Sequence, residues 1–157
     1  MNTKMKILVV SDSHGREDRL NEVLRREDFD YLFFLGDGLK DLGTMINHPH
    51  TVAVRGNCDF FSKLDDTANV EVAGIKFLLT HGDRFHVKST LKPLIDEAKY
   101  RGAEIVLYGH THRYNDETIE DIRFINCPSL HKSFDGKGKY LTLDISDKKI
   151  SISCNDF

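Results

Sequence analysis

The chain has no tryptophan, three prolines and three cysteines, Cys58, Cys127 and Cys154. An odd cysteine count without C-x-x-C spacing argues against a disulfide framework and a thiolate zinc site, and points to a reducing, cytoplasmic setting. There is no repeat, no low-complexity tract and no Pro/Gly/Ser linker, so residues 1–157 are expected to form one domain. Long apolar runs are missing too. The stretch 7–10 near the N-terminus is four residues long, too short for a signal-peptide core or a membrane span, so no membrane partner is expected. A basic excess is also lacking: 22 Lys and Arg face 25 Asp and Glu, a formal net charge of -3. That argues against non-specific nucleic-acid binding and leaves nucleic acid only the role of a nucleotide substrate. What is present, 39% hydrophobic and 30% charged residues, is an ordinary globular balance, at a length able to bury a core without staples.

Hydrophobic patterning predicts a buried strand over 6–10 that opens into Ser11-Asp12-Ser13-His14-Gly15. Leu20, Val23 and Leu24 predict an amphipathic helix over 16–27. A second strand, 31–35, is halted by Gly36-Asp37-Gly38. Leu39, Leu42, Met45 and Ile46 predict a second helix, ended by Asn47 and Pro49. A third strand, 51–55, closes at Gly56-Asn57. Segments 70–72 and 75–80 read as a hairpin turning at Ala73-Gly74. A helix over 90–101 carries Pro93 in its first turn and precedes a strand over 105–108. The remainder is strand-rich, over 118–120, 123–126, 139–144 and 149–153. An α/β fold of mixed sheets packed face to face, with outer helices, satisfies this order.

The informative residues lie where strands end. Asp12 and His14, Asp37, Asn57, His81, and His110 with His112 follow five predicted strands, nearly all beside glycine. In α/β folds, loops beyond the carboxyl ends of strands converge on ligands, and glycine permits the sharp turns this needs. Each motif alone has an ordinary reading as a cap, a turn or a hydrogen-bonded strand end. An ordered set of such motifs does not. Asp, His and Asn offer oxygen and imidazole donors without thiolate, which suits Mn, Ni, Zn, Fe or Co. Seven donors exceed one tetrahedral ion and match two divalent cations sharing a carboxylate. Two dications outweigh Asp12 and Asp37, so the site stays positive and favours an anion such as a phosphoryl group. His48, His50, His86 and His131 read as solvated loop residues, and the Lys-containing turn near Asp135-Gly136-Lys137-Gly138 as a hairpin tip. Arg113, beside His112, fits either an anionic substrate or a surface salt bridge.

The order D-S-H, G-D-G, R-G-N-C-D, T-H-G-D and G-H-T-H resembles the calcineurin-like metallophosphoesterases, and within them the small bacterial and archaeal phosphodiesterases of the YfcE type. The resemblance runs over essentially the whole chain. It implies a four-layer α/β/β/α sandwich of two mixed sheets and a dinuclear centre, with manganese the first expectation. By motif, Asp12, His14, Asp37 and His112 would hold one ion and Asp37, Asn57, His81 and His110 the other, with Asp37 bridging. The implied activity is hydrolysis of phosphate esters, phosphodiesters foremost, by a metal-bridging hydroxide on a small-molecule substrate. Asn57, Cys58 and His110 would face the reacting phosphate. Relatives are often homodimers or larger.

Two departures stand out. Cys58 takes the place of a histidine found in much of the wider family. A thiol near pKa 8.5 is a poorer acid than an imidazole at about 6.5, so Cys58 is read either as a weak acid or as a small packed residue. Asn126-Cys127-Pro128-Ser129 shifts a proline and loses a glycine relative to many relatives, which alters the allowed turn. The competing reading is a non-catalytic protein-interaction scaffold of the retromer-subunit type, a fold relative with an incomplete ligand set. Retention of every ligand position favours the enzyme.

Overall fold

A computed structural model describes residues 4–157. Its first sheet holds β1 (Lys4–Val10), β2 (Tyr31–Phe34) and β3 (Thr51–Ala53) in parallel, extended past β1 by antiparallel β9 (Lys139–Ser146) and then β10 (Lys149–Asp156). The second holds β5 (Ile75–Thr80), β6 (Ile105–Tyr108) and β8 (Ile122–Asn126) in parallel, with antiparallel β4 (Thr67–Val72) and β7 (Asn115–Ile119) at its edges. Both sheets are therefore mixed.

Period-two side-chain alternation builds the layers. Along β1, Ile7 and Val9 face the second sheet, meeting a cluster with Phe33, Phe77, Leu107 and Leu143. Leu8 and Val10 face the opposite way, into a cluster with Leu20 and Val23 of α1 (Glu17–Arg26). The second sheet repeats the scheme: Leu79 and Leu107 point inward, while Leu78 and Val106 cover α2 (Lys92–Arg101) through Leu94, Ile95 and Ala98. Because both central sheets are buried on two faces, their strands read as continuous apolar runs. The result is four layers, helix, sheet, sheet, helix.

Local chemistry sets the ends. Helix α1 starts with Glu17 and Asp18 and finishes with Arg25 and Arg26, charges that oppose the helix dipole at each terminus. Helix α2 has Pro93 in its first turn and stops at Gly102, left-handed at φ 68°. The hairpin at Ala73-Gly74 has both residues left-handed, as expected for a tight turn matching strand twist. Glu120-Asp121 and Asp147-Lys148 turn the same way, so Glu120 belongs to a turn rather than to the strand expected over 118–120. The expected second helix differs as well. Leu39–Asn47 is a tight 3-10 segment broken at Gly43 (φ 53°, ψ -130°). Leu39 and Leu42 are still buried, but the tighter winding also turns Asp41 inward.

Candidate metal centre

The strands β1, β2, β5 and β6 deliver their carboxyl ends to one side of the sandwich, at the seam between the sheets. The loop after β1 is stitched to the loop after β2: Asp12 N donates to Gly36 O (2.9 Å) and His14 N to Asp37 O (3.0 Å). From the second sheet, His81 follows β5 directly, and Gly109 N donates to its carbonyl (3.0 Å). Asp12, Asp37 and His81 are buried, His14, His110 and His112 half-buried.

Six of the seven expected ligands come together. Asp12 Oδ1 lies 3.1 Å from His112 Nε2, 3.4 Å from His14 Nε2 and 3.8 Å from His81 Nε2. Asp37 Oδ2 lies 3.2 Å from His81 Nε2 and 3.7 Å from His14 Nε2. His110 Nδ1 is 3.2 Å from His81 Nε2. Three overlapping groups result: Asp12 with His14 and His112, His14 with Asp37 and Cys58, and Asp37 with His81 and His110. Adjacent ligands of a cation bound at about 2.1 Å are themselves about 3 Å apart, so these spacings fit metal coordination. His14 Nε2 is buried without a hydrogen-bond partner, as a nitrogen reserved for a metal would be. Asn57 is exposed, and its amide is directed to Cys58 Sγ (3.6 Å).

The electrostatics agree with the donor set. Burial opposes ionisation of Asp12, but His112, His14, His81 and Ser11 outweigh it and hold the carboxyl far below its usual range. Burial likewise opposes protonation of His81, yet Asp37 and Asp12 raise the imidazole to about 9. The carboxylates raise the imidazoles of His14 and His81 in the same way, as negative charge beside a cationic form does. Cys58 N donates to Asp37 Oδ1 (2.8 Å), while burial and the Asp37 charge push its exposed thiol up.

Five of these residues have left-handed backbones: Asp12 (φ 54°), His14 (43°), Asp37 (59°), His110 (70°) and His112 (60°). Residues other than glycine adopt that region sparingly, in tight hairpin turns such as Ala73-Gly74 or, as at Asp12 and His14, where hydrogen bonds to Gly36 O and Asp37 O hold the backbone in place. Close approach adds a demand at Gly109, where a Cβ would stand 2.9 Å from Asp12 Oδ2 and nearer still to Ser11 Oγ.

Several supporting residues were not singled out by patterning. Asp59 accepts hydrogen bonds from four backbone groups, Asp37 N (2.8 Å), Gly56 N (2.9 Å), Gly38 N (3.0 Å) and Leu39 N (3.1 Å), tying the G-D-G and R-G-N loops into one unit. Asp41 accepts from Ser13 Oγ (2.6 Å) and Gly15 N (2.9 Å), fixing the loop that carries His14. The departing Asn126–Ser129 stretch still supports the centre: Ser129 Oγ donates to Asp12 O (2.8 Å), and Asn126 Nδ2 bonds Thr111 Oγ1 between the last two histidines. His131 is exposed as expected, but it also borders the site, with its ring 6.1 Å from that of His14 and its N–H on Asp12 O (3.1 Å). Its signal would have been proximity to Ser129, which periodicity does not carry. His48, His50 and His86 are exposed, and Arg113 stacks on Phe134 at 3.8 Å.

Comparison with known proteins points the same way. Residues 5–148 match the calcineurin-like phosphoesterase superfamily domain. A probable metallophosphoesterase of Mycoplasma pneumoniae is 33% identical over 151 residues, covering 93% of both chains. A phosphodiesterase of Methanocaldococcus jannaschii is 27% identical over 144 residues, covering 78% of this chain and 82% of its own. The structure of a predicted phosphoesterase from Streptococcus pneumoniae TIGR4 superposes with a TM-score of 0.88 at 27% identity, over 98% of this chain and 90% of that one. With strand-end donors meeting at the seam of two mixed sheets and a family match over almost the whole length, the chain belongs to the calcineurin-like phosphoesterase superfamily.

Proposed function

We propose that this protein is a phosphodiesterase that works with two divalent cations, manganese foremost. The observation that carries the reading is the convergence of Asp12, Asp37, His14, His81, His110 and His112 into overlapping groups with ligand-like spacing. The likeness to a phosphodiesterase of Methanocaldococcus jannaschii supports the diester preference. Asp12, His14, Asp37 and His112 would hold one ion; Asp37, Asn57, His81 and His110 the other. When bound, such a pair would supply Lewis acidity and lower the pKa of a coordinated water toward neutrality.

The chain's own groups do the positioning. Asp37 sits between His14 and His81, and its second oxygen is held by Cys58 N–H, so the carboxylate is fixed in one orientation. His81 donates from Nδ1 to Leu35 O (2.8 Å), which leaves Nε2 as the donor atom facing the carboxylates. His110, Asn57 and Cys58 lie on the open side, where they would touch the phosphate. The Cys58 thiol, kept protonated beside Asp37, is a weak proton donor to a departing alkoxide, which favours diesters with good leaving groups.

The test is hydrolysis of bis(p-nitrophenyl) phosphate by chelator-stripped protein with and without added Mn²⁺. The expected outcome is turnover only with metal, abolished by Asp37→Asn. Metal-independent turnover would overturn the dinuclear reading, and no turnover under any metal with the fold intact would favour the scaffold reading.

A further inference from the structure

Beside the metal centre lies a cleft of about 580 Å³, in the range of small-molecule sites. One end is formed by His14, Asp37 and Cys58, which also make the middle group of donors. The wall leading away is apolar: Leu39, Ile46, Phe60 and Phe61. Phe60 and Phe61 are 78% and 90% exposed, an unusual display for two successive aromatic rings. They are also firmly carried. The Asp59 carboxylate just before them anchors four backbone N–H groups, and Ser62 N closes a further turn onto Asp59 O (3.2 Å). The acids in this wall are engaged elsewhere, Asp59 as described and Asp41 with Ser13 and Gly15, while Lys40 adds a cation.

Resting on the phosphoesterase reading, we infer that this cleft is the specificity site of the enzyme: it takes the nucleobase of a nucleotide ester against Phe60 and Phe61, with the phosphate at the metal end. A planar base offers a π-face to the rings whatever its edge pattern. The continuity of the cleft with His14 and Asp37 supplies the direction, since a ligand whose phosphate lies there has its organic arm beside the rings. An open, shallow wall of this kind discriminates aromatic from aliphatic arms rather than one base from another.

The test is calorimetric titration of Mn²⁺-loaded protein with AMP and, separately, with ribose 5-phosphate. AMP is expected to bind about tenfold more tightly, the lower part of the range seen for base–aromatic stacking. In a Phe60→Ala/Phe61→Ala variant the two ligands should bind alike, with ribose 5-phosphate affinity and metal content unchanged. Phe60→Tyr/Phe61→Tyr should keep the AMP preference. Equal binding by the wild type, or a preference that survives in the alanine variant, would overturn the assignment. So would a variant whose sedimentation changes while its ligand preference does not, since the rings would then serve self-association. Failure of both ligands to bind the loaded wild-type protein would instead strike the phosphoester reading beneath it.

Discussion

Asp59→Asn isolates the link between the two loops of the centre. The Asp59 carboxylate receives four backbone N–H groups, two on each oxygen: Asp37 and Gly56 on Oδ2, Gly38 and Leu39 on Oδ1. An amide keeps one oxygen and turns an NH₂ toward the other pair, so two bonds are lost and two donors oppose donors. Hydrogen bonds to an ionised acceptor contribute about 1.5–3 kcal/mol each, and Asp59 is partly exposed, so the low end applies and the loss is about 3 kcal/mol. Against a typical domain stability of roughly 5–15 kcal/mol, that leaves a folded but clearly weakened protein. Asp37 sits on the affected loop, so metal affinity should fall about 10- to 100-fold, as for other groups that orient ligands. Urea melts of the metal-free wild type and variant read the first effect, and competition with a fluorescent chelator reads the second. A variant within about 0.5 kcal/mol of wild type, the scatter of ordinary surface changes, would refute the anchoring role.

Metal binding near pH 7.5 should release about one proton from His81, whose imidazole is raised to about 9 in the metal-free protein and must be neutral to act as a ligand. Calorimetry in buffers of different ionisation enthalpy measures it, and identical heats would contradict it. The same raised value means that protonated His81 stabilises the metal-free fold fully below its ordinary value near 6.5. That contribution is lost as pH climbs through about 9, a decline that melts of the apoprotein should follow and the metal-saturated protein should escape. Cys58→His replaces a thiol that its surroundings push up with a stronger acid, and should raise turnover of monoesters with poor leaving groups roughly tenfold or more; equal or lower monoester turnover would remove the proton-donor argument.

The fold was largely legible because its strands are buried on both faces. Runs such as Ile105–Tyr108 stand out from any background, and the donors sit one to four residues past the strand ends. The hairpin at Ala73-Gly74 and the stop at Gly102 follow from backbone chemistry visible in one or two letters. The segment Leu39–Asn47 misled because its apolar residues repeat as in an α-helix while Gly43 breaks it, and the demand on Asp41 to reach Ser13 is tertiary. The contact between His131 and His14 was equally hidden, since it depends on the last loop folding back across Asp12. The D-S-H to G-H-T-H series located the site by where strands stop; it carried no information about the braces, Asp41 and Ser129, which act through Ser13 Oγ and backbone groups of the distant loop after β1.

The left-handed backbones at positions 12, 14, 37, 110 and 112 also narrow the alphabet open to evolution there. Valine, isoleucine and threonine are barred by sterics, whereas glycine and asparagine would relax the chain. Descendants released from hydrolysis would gain stability by drifting to those two residues, so loss of chemistry in this lineage should leave a sturdier sandwich behind. The same arithmetic offers protein engineers a route to an inert display scaffold: trade Asp12 and Asp37 for asparagine together with His14 and His112 for glycine, so that no buried carboxylate loses its partners, and the fold is relieved of backbone strain that the proposed metal site would account for.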